Sequence, residues 1–236
     1  MPCPLTRDDS AYFMLKLSLQ HQHRLDVLTR KAIEIQKQLC VFVVCDDHFK
    51  KINAVASVDV GFENNGSMTR AEIAVLEFPS LNVKEVAISR KATSFPYMPG
   101  PLSFRELPAV LSALGQLKQK SGLILCDGQG YAHPRRFGIA CHLGVLTDIS
   151  AIGVGKTRLI GTHNPLEDRK WTWQSLMDKD EVIGAVLRAR RGIKSIYASI
   201  WHRMSLSTAV QHVLACTTSF KLPETTRIAH SYASTC

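Results

Sequence analysis

Leu123-Ile124-Leu125-Cys126-Asp127-Gly128-Gln129-Gly130 is the stretch on which the fold turns. Four apolar residues without polar alternation are the pattern of a strand covered on both faces. The run ends in an acid and then a turn whose glycines let backbone approach a ligand closely. Upstream, Ile52 to Val60 alternates apolar with small or polar residues and predicts a strand. Beyond the turn-rich Glu63-Asn64-Asn65-Gly66-Ser67, the runs Ala71 to Phe78 and Val83 to Ser89 predict two more strands, so an antiparallel meander opens the fold. A helix is expected over Phe104 to Gln119, just before the deciding run. Downstream, Gly138 to Leu146 predicts a helix, Ala151 to Val154 another buried strand, and Ser205 to Cys216 a late helix. Hairpins first and strands alternating with helices later indicate a mixed α/β sheet flanked by helices. Residues 1–50, with Leu17, Leu25, Leu28, Ile33, Ile35 and Leu39 among polar and basic residues, read as one or two amphipathic helices leading into the core.

The 236 residues fall in the range of one large domain, and one is expected. With 45% hydrophobic residues, 21% charged residues and a mean hydropathy of -0.01, the chain has the balance of a folded protein rather than a disordered or membrane-embedded one. No apolar run reaches the roughly 18 residues a membrane span needs. The N-terminal apolar residues are broken by Lys16 and lack a small-residue cleavage site, so a cytoplasmic location is expected. Seven scattered cysteines without a C-x-x-C pair or zinc-like spacing read as reduced thiols. Cys126 and Cys141 read as small buried hydrophobes. The formal charge of +9 attracts a polyanion, although charge alone does not single out nucleic acid.

Asp59 closes the first predicted strand and Asp127 the buried one. In open α/β sheets ligands gather at the carboxyl ends of strands, so the two acids can face one cleft. Either alone reads as a turn or capping acid. Together, converging carboxylates repel unless a cation neutralises them, and hard oxygen ligands suit Mg²⁺ or Mn²⁺. Such ions activate water and stabilise the leaving oxygen in phosphodiester hydrolysis. Gly155-Lys156-Thr157 does not complete a phosphate-binding P-loop, because the pattern requires glycine where Ser150 stands.

Ser57-Val58-Asp59-Val60-Gly61-Phe62, Phe95-Pro96-Tyr97-Met98-Pro99-Gly100 and Ser103-Phe104-Arg105-Glu106 form an ordered series. It continues through Asp127-Gly128-Gln129-Gly130, His133-Pro134-Arg135-Arg136, Ile152-Gly153-Val154-Gly155-Lys156 and Leu222-Pro223-Glu224-Thr225-Thr226-Arg227. In content, order and spacing the series resembles the endonuclease V family of inosine-specific nucleases, from about Ile52 to His230. The resemblance implies an RNase H-like fold, with residues 51–230 as its core and 1–50 as an N-terminal helical segment of the same domain. It implies that Asp59, Glu106 and Asp127 bind catalytic Mg²⁺, for which Mn²⁺ can substitute, and that Lys156 and His230 are further active-site residues. Some relatives carry Asp at the position of His230; Asp can ligate a metal, and His can ligate or move a proton.

The resemblance makes Pro96-Tyr97-Met98-Pro99 a strand-separating wedge, whose prolines stiffen the backbone that presents the aromatic. Read on chemistry alone, Tyr97 fits a wedge and an inward-packed turn residue equally. A base turned out of its stack needs a pocket of small residues and backbone hydrogen bonds. By resemblance that pocket is built from Gly100, Leu102, Gly128, Gly130, Gly138, Ile139 and Leu159, with His133 near the metal and the lesion. Arg135 and Arg136 fit phosphate contacts or a solvated face. Without the family, Glu106 reads as an acid in a helix's first turn, Lys156 as a solvated lysine, and Gly138 and Ile139 as helix-start and core residues.

The implied activity is DNA repair: recognition of deoxyinosine and other deaminated bases, and hydrolysis of the second phosphodiester on the 3′ side, leaving 3′-hydroxyl and 5′-phosphate ends. The alternatives are an inosine-specific endoribonuclease acting on single-stranded RNA and an inert binder of damaged nucleic acid. A monomer is expected. Trp201-His202-Arg203 departs from the family's Gly-His-Arg near its second-last strand, where Trp strains a turn that needs a positive φ. Residues 1 to about 25 and 231–236 match nothing in the family pattern.

Overall fold

The computed structural model describes residues 19–218 and 220–233. Eight strands form one sheet: β1 (Ala54–Glu63), β2 (Met68–Glu77), β3 (Val83–Ala92), β4 (Leu123–Asp127), β5 (Ser150–Gly155), β6 (Thr172–Asp178), β7 (Glu181–Arg188) and β8 (Ile196–His202). Their order across the sheet is β3-β2-β1-β4-β5-β8-β7-β6. The first three strands pair antiparallel as the expected meander, and β1, β4 and β5 run parallel. This mixed sheet is the RNase H-like arrangement.

Among the described residues the α-helices are α1 (Thr29–Leu39), α2 (Ser103–Gln116), α3 (Ile139–Thr147), α4 (Leu206–Ala215) and α5 (Glu224–Ala233); α2 to α5 pack on the sheet, and α1 packs on α3. The deciding run behaves as its composition requires. Leu123 and Leu125 enter the core shared with α4, whereas Ile124 and Cys126 face the core formed with α2 and α3. At roughly 1.5–3 kcal/mol for each fully buried large apolar side chain, this two-sided burial fixes β4 at the centre of the sheet. Of the N-terminal helical segment, residues 1–18 lie outside the described residues, and α1 is its helix within them.

Three features differ from the sequence reading. β6, β7, β8 and α5 were not anticipated. β1 continues four residues past Asp59, which therefore lies within the strand, at the point where its pairing with β4 runs out. Trp201-His202-Arg203 ends β8, the last strand in the chain, and the left-handed residue is Arg203 (φ 65), so the Trp falls on extended backbone. Cys126 and Cys141 are buried free thiols, as expected; Cys3 and Cys236 lie outside the described residues.

Candidate active site

Strand register brings the first two acids together. The parallel pairing Ser57 with Leu125 and Val58 with Cys126 places Asp59 beside Asp127 at the next position, one strand spacing of about 4.8 Å away. Alternation puts both on the side of the sheet that carries Val55, Leu123 and Leu125. α5 packs over β1, β2 and β4. His230 lies on α5, and its side chain is outside the described residues.

Glu106 arrives from the other side, in the first turn of α2, which packs on β2 and β3. Burial, then the negative charges of Asp127 and Asp59, push its carboxyl up to about 8, with Arg105 opposing. Arg105 itself is spent on fixing loops: it donates to the carbonyls of Phe95 (3.1 Å) and Gly66 (2.7 Å) and lies over the Phe62 ring.

Each aspartate has a local partner. Lys156, just past β5, sets its Nζ 2.5 Å from Asp127 Oδ2, and the Val60 N–H donates to Asp59 Oδ1 at 3.0 Å. Among the described residues no three His, Cys, Asp or Glu side chains form a ready-made metal cage. What the structure does show is a donor set of hard oxygens, with Asp127 and Asp59 close enough to add to the rise at Glu106 and an ammonium already drawn to Asp127.

Reading along the chain missed a fourth acid. Glu72 sits directly across from Asp59 on β2, almost fully buried, with Arg70 Nε 3.0 Å from its Oε1. The signal was one acid and one arginine inside an otherwise apolar strand, and only register shows that they flank the site.

The Pro96–Pro99 loop stands away from the protein. Tyr97 is 71% and Met98 39% exposed, while Phe95 behind them is buried. Inward packing of Tyr97 is thereby excluded. At the loop's far end Gly100 adopts φ +101, and a Cβ there would collide with the Arg135 guanidinium. The Gly100 carbonyl accepts from Gln36 Nε2 (3.2 Å) and faces His133 Nε2 (2.9 Å). Gln36, wholly buried on the apolar face of α1, also donates to the Phe137 carbonyl and accepts from Arg135 Nε at 2.7 Å. It is the second residue missed, visible in the sequence only as a glutamine between Ile35 and Leu39 on a helical apolar stripe.

His133 is therefore a clamp on the end of the Pro96–Pro99 loop. Its Nδ1 accepts from the Arg135 backbone N–H at 3.1 Å, so its Nε2 carries the proton given to Gly100. Burial, then the Arg135 charge, holds its pKa down at about 4, with Arg136 adding to the effect. The stability linked to this group is complete above the ordinary histidine value near 6.5 and is lost as pH falls through about 4. The loss is on the order of 3 kcal/mol. His133→Gln keeps one donor and one acceptor but does not titrate, so its melting temperature should fall less than that of the parent between pH 7 and pH 4. Parallel curves would remove His133 as the titrating clamp.

Of the other residues that the resemblance assigns to a base pocket, Gly128, Gly130, Gly138 and Ile139 surround the turn after β4. Gly130 N–H donates to Ser199 Oγ (2.6 Å), and Gly138, which caps α3, donates to the Gly130 carbonyl (2.9 Å). A side chain at Gly138 would collide with the Gln129 carbonyl, so this glycine is needed for close backbone packing. Gly128 abuts Ile139, Leu102 caps α2, and Leu159 is exposed on the loop beyond Lys156. Arg135 turns inward to Gln36, and Arg136 pairs with Asp178 (2.6 Å) and Glu181 (2.8 Å). Neither guanidinium is thus presented as a free phosphate contact.

The Endonuclease V family model matches residues 37–231. The endonuclease V of Trichormus variabilis is 51% identical over 219 residues, covering 92% of this chain and 99% of the relative. Among solved structures, the endonuclease V of Streptomyces avermitilis superposes with a TM-score of 0.83 at 38% identity, covering 87% of this chain and 91% of that one. The endonuclease V of Ciona intestinalis, solved with a 23mer DNA containing an inosine followed by a ribo-adenosine, gives a TM-score of 0.75 at 25% identity, covering 87% and 96%. With its acids brought into register on an RNase H-like sheet and its length matched almost end to end, the chain belongs to the endonuclease V family of nucleases, hydrolases acting on DNA.

Proposed function

We propose that this chain is a Mg²⁺-dependent endonuclease of DNA repair that recognises deoxyinosine and other deaminated bases and hydrolyses the second phosphodiester 3′ to the lesion. Asp59, Glu106 and Asp127 would hold the ion, and Mn²⁺ can replace it. The observation behind this is the parallel register of β1 with β4, which ends at Val58 and Cys126 with Asp59 and Asp127 as the next residues, and Glu106 pushed up to about 8 by burial and then by their charges. A carboxyl whose proton affinity is raised by burial and then by two neighbouring carboxylates belongs to a set suited to a divalent cation. Bound there, Mg²⁺ supplies positive charge to the phosphate oxygens and acidifies water for in-line attack. Lys156, already drawn to Asp127, places a second positive charge where the cut phosphate lies. His230 on α5 serves as a further active-site residue.

Tyr97 with its flanking prolines and Met98 holds the strands apart. The turned-out base then lies against Gly100, Leu102, Gly128, Gly130, Gly138, Ile139 and Leu159, whose missing or apolar side chains leave backbone groups to read it. His133, Gln36 and Arg135 fix the rim of that pocket through Gly100. No helix among the described residues is long and apolar enough to cross a membrane. We place the enzyme in the cytoplasm, as a monomer whose residues 1–50 and 51–230 make one domain.

Matched inosine DNA and inosine RNA oligonucleotides, each with Mg²⁺ and with EDTA, test this reading. DNA should be retained in EDTA and cut when Mg²⁺ is added. Retention without cutting in Mg²⁺ or Mn²⁺ on both substrates would leave an inert binder, and cutting of RNA alone would make it a ribonuclease. The RNA arm matters because the Ciona relative was solved on DNA with a ribo-adenosine directly after the inosine.

A further inference from the structure

Beyond Lys156 the sheet edge opens into a cleft of about 600 Å³ lined by Lys156, Arg158, Arg188, Lys194, Ser195 and Tyr197. Register places it on the carboxylates' edge of the sheet. Gly155 at the end of β5 pairs with Tyr197 at the start of β8, which pairs with Val186, two residues before Arg188. The cleft's one acid, Asp168, is taken up by Arg188 (3.3 Å) and the Gly192 N–H (2.8 Å). Arg188 also donates to the carbonyls of Ile193 and Glu167, so it builds the wall. Arg158 and Lys194 form no ion pair among the described residues and remain exposed. Lys221 adds a third amine at the rim, donating to the Lys156 carbonyl (3.4 Å). Its pKa is lowered by burial and then by the charges of Lys194 and Lys156, which confirms how closely the amines gather.

Positive charge held this close, with its one acid already paired, is complementary to a polyanion. The base pocket and the cleft share no wall residue. They meet through Asp127 and Lys156, where the bond is cut. With the bond cut beside Asp127 and Lys156, as proposed, and 3′ of the base, a strand that continues past Lys156 into the cleft runs 5′ to 3′. We infer that the Lys156–Arg188–Lys194 cleft is a phosphate-binding site for the DNA strand on the 3′ side of the incision, with Arg158 and Lys194 as its free cations. The direction rests on the proposed activity; the phosphate site does not.

Single-stranded inosine DNA in EDTA tests it, with either the 3′ or the 5′ flank lengthened by about 8 nucleotides, within the span of a single-strand site. The parent protein should gain affinity from the longer 3′ flank. Arg158→Ala/Lys194→Ala should lose about tenfold of that affinity near physiological salt, with the slope of log K against log salt shallower by about 1.4 for two lost contacts. Arg158→Lys/Lys194→Arg should restore it. Lys51→Ala/Lys120→Ala, which removes two exposed charges from the opposite edge, should change nothing specific to the 3′ flank. A gain confined to the 5′ flank, or an equal loss for both flanks, would overturn the inference. Repeating the salt titration on DNA without inosine keeps it separable from the activity: no preference for the lesion, with the double variant's affinity loss and shallower slope intact, would fail the proposed function alone.

Discussion

Asp127→Ala should lower the cutting rate by at least about 10³-fold while leaving a folded protein that still retains inosine DNA in EDTA. A bound cation's charge stabilisation is worth several kcal/mol, and about 1.4 kcal/mol is tenfold in rate. The fold should persist because Asp127 sits at the last position of β4, only 15% exposed but on the rim of the sheet, and its cation partner Lys156 is half-exposed. Released from Asp127, the Lys156 ammonium reaches water, and Glu106 loses its strongest repelling neighbour. The melting temperature should therefore be unchanged or raised. Asp59→Ala should behave alike, because register gives the two acids equivalent places. Full cutting by either purified variant would end the metal assignment, whereas a collapsed melting temperature would reassign these acids to structure.

The acids and their common cleft were legible, and the side-by-side register of Asp59 with Asp127 was not. Asp59 and Asp127 are marked by their strands, but their adjacency depends on the β1 to β4 register, which local pattern does not encode. Glu72 was passed over for the same reason. β7 was missed although Val182-Ile183-Gly184-Ala185-Val186-Leu187 is a plain apolar run. The hairpin that announces it turns through Lys179 at φ 59 and Asp180 in place of the Asn-Gly or Asp-Gly that such a turn favours. α5 was hidden because its apolar residues are few among polar ones, and it becomes a helix by packing on β1 and β2. The wedge loop was legible as stiff, through its prolines. That it points outward follows from Phe95, buried behind it, and from the Gln36 clamp more than 60 residues earlier.

That outward placement sharpens what Tyr97 must do. With 71% of its surface exposed, the ring has little packing to lose, so Tyr97→Ala should leave the stability within about 0.5 kcal/mol of the parent, the usual range for a surface substitution, and the melting temperature nearly unchanged. Its loss should fall on lesion binding instead. Stacking of a base on an aromatic ring is worth roughly 1 to 3 kcal/mol, or about 5- to 150-fold in affinity. A single strand has no partner strand to hold away, so the deficit should be larger on a paired inosine duplex than on the unpaired oligonucleotide. Tyr97→Phe keeps the ring and should keep the duplex preference, because stacking and not the hydroxyl is the source of the effect. Phe95, Gly100 and His133 are untouched by either change, and Asp59, Glu106 and Asp127 lie on other elements. Equal losses on both substrates, with a lowered melting temperature, would mean that the ring supports the loop rather than the opened duplex; equal losses at an unchanged melting temperature would leave it a contact with the strand that separates nothing.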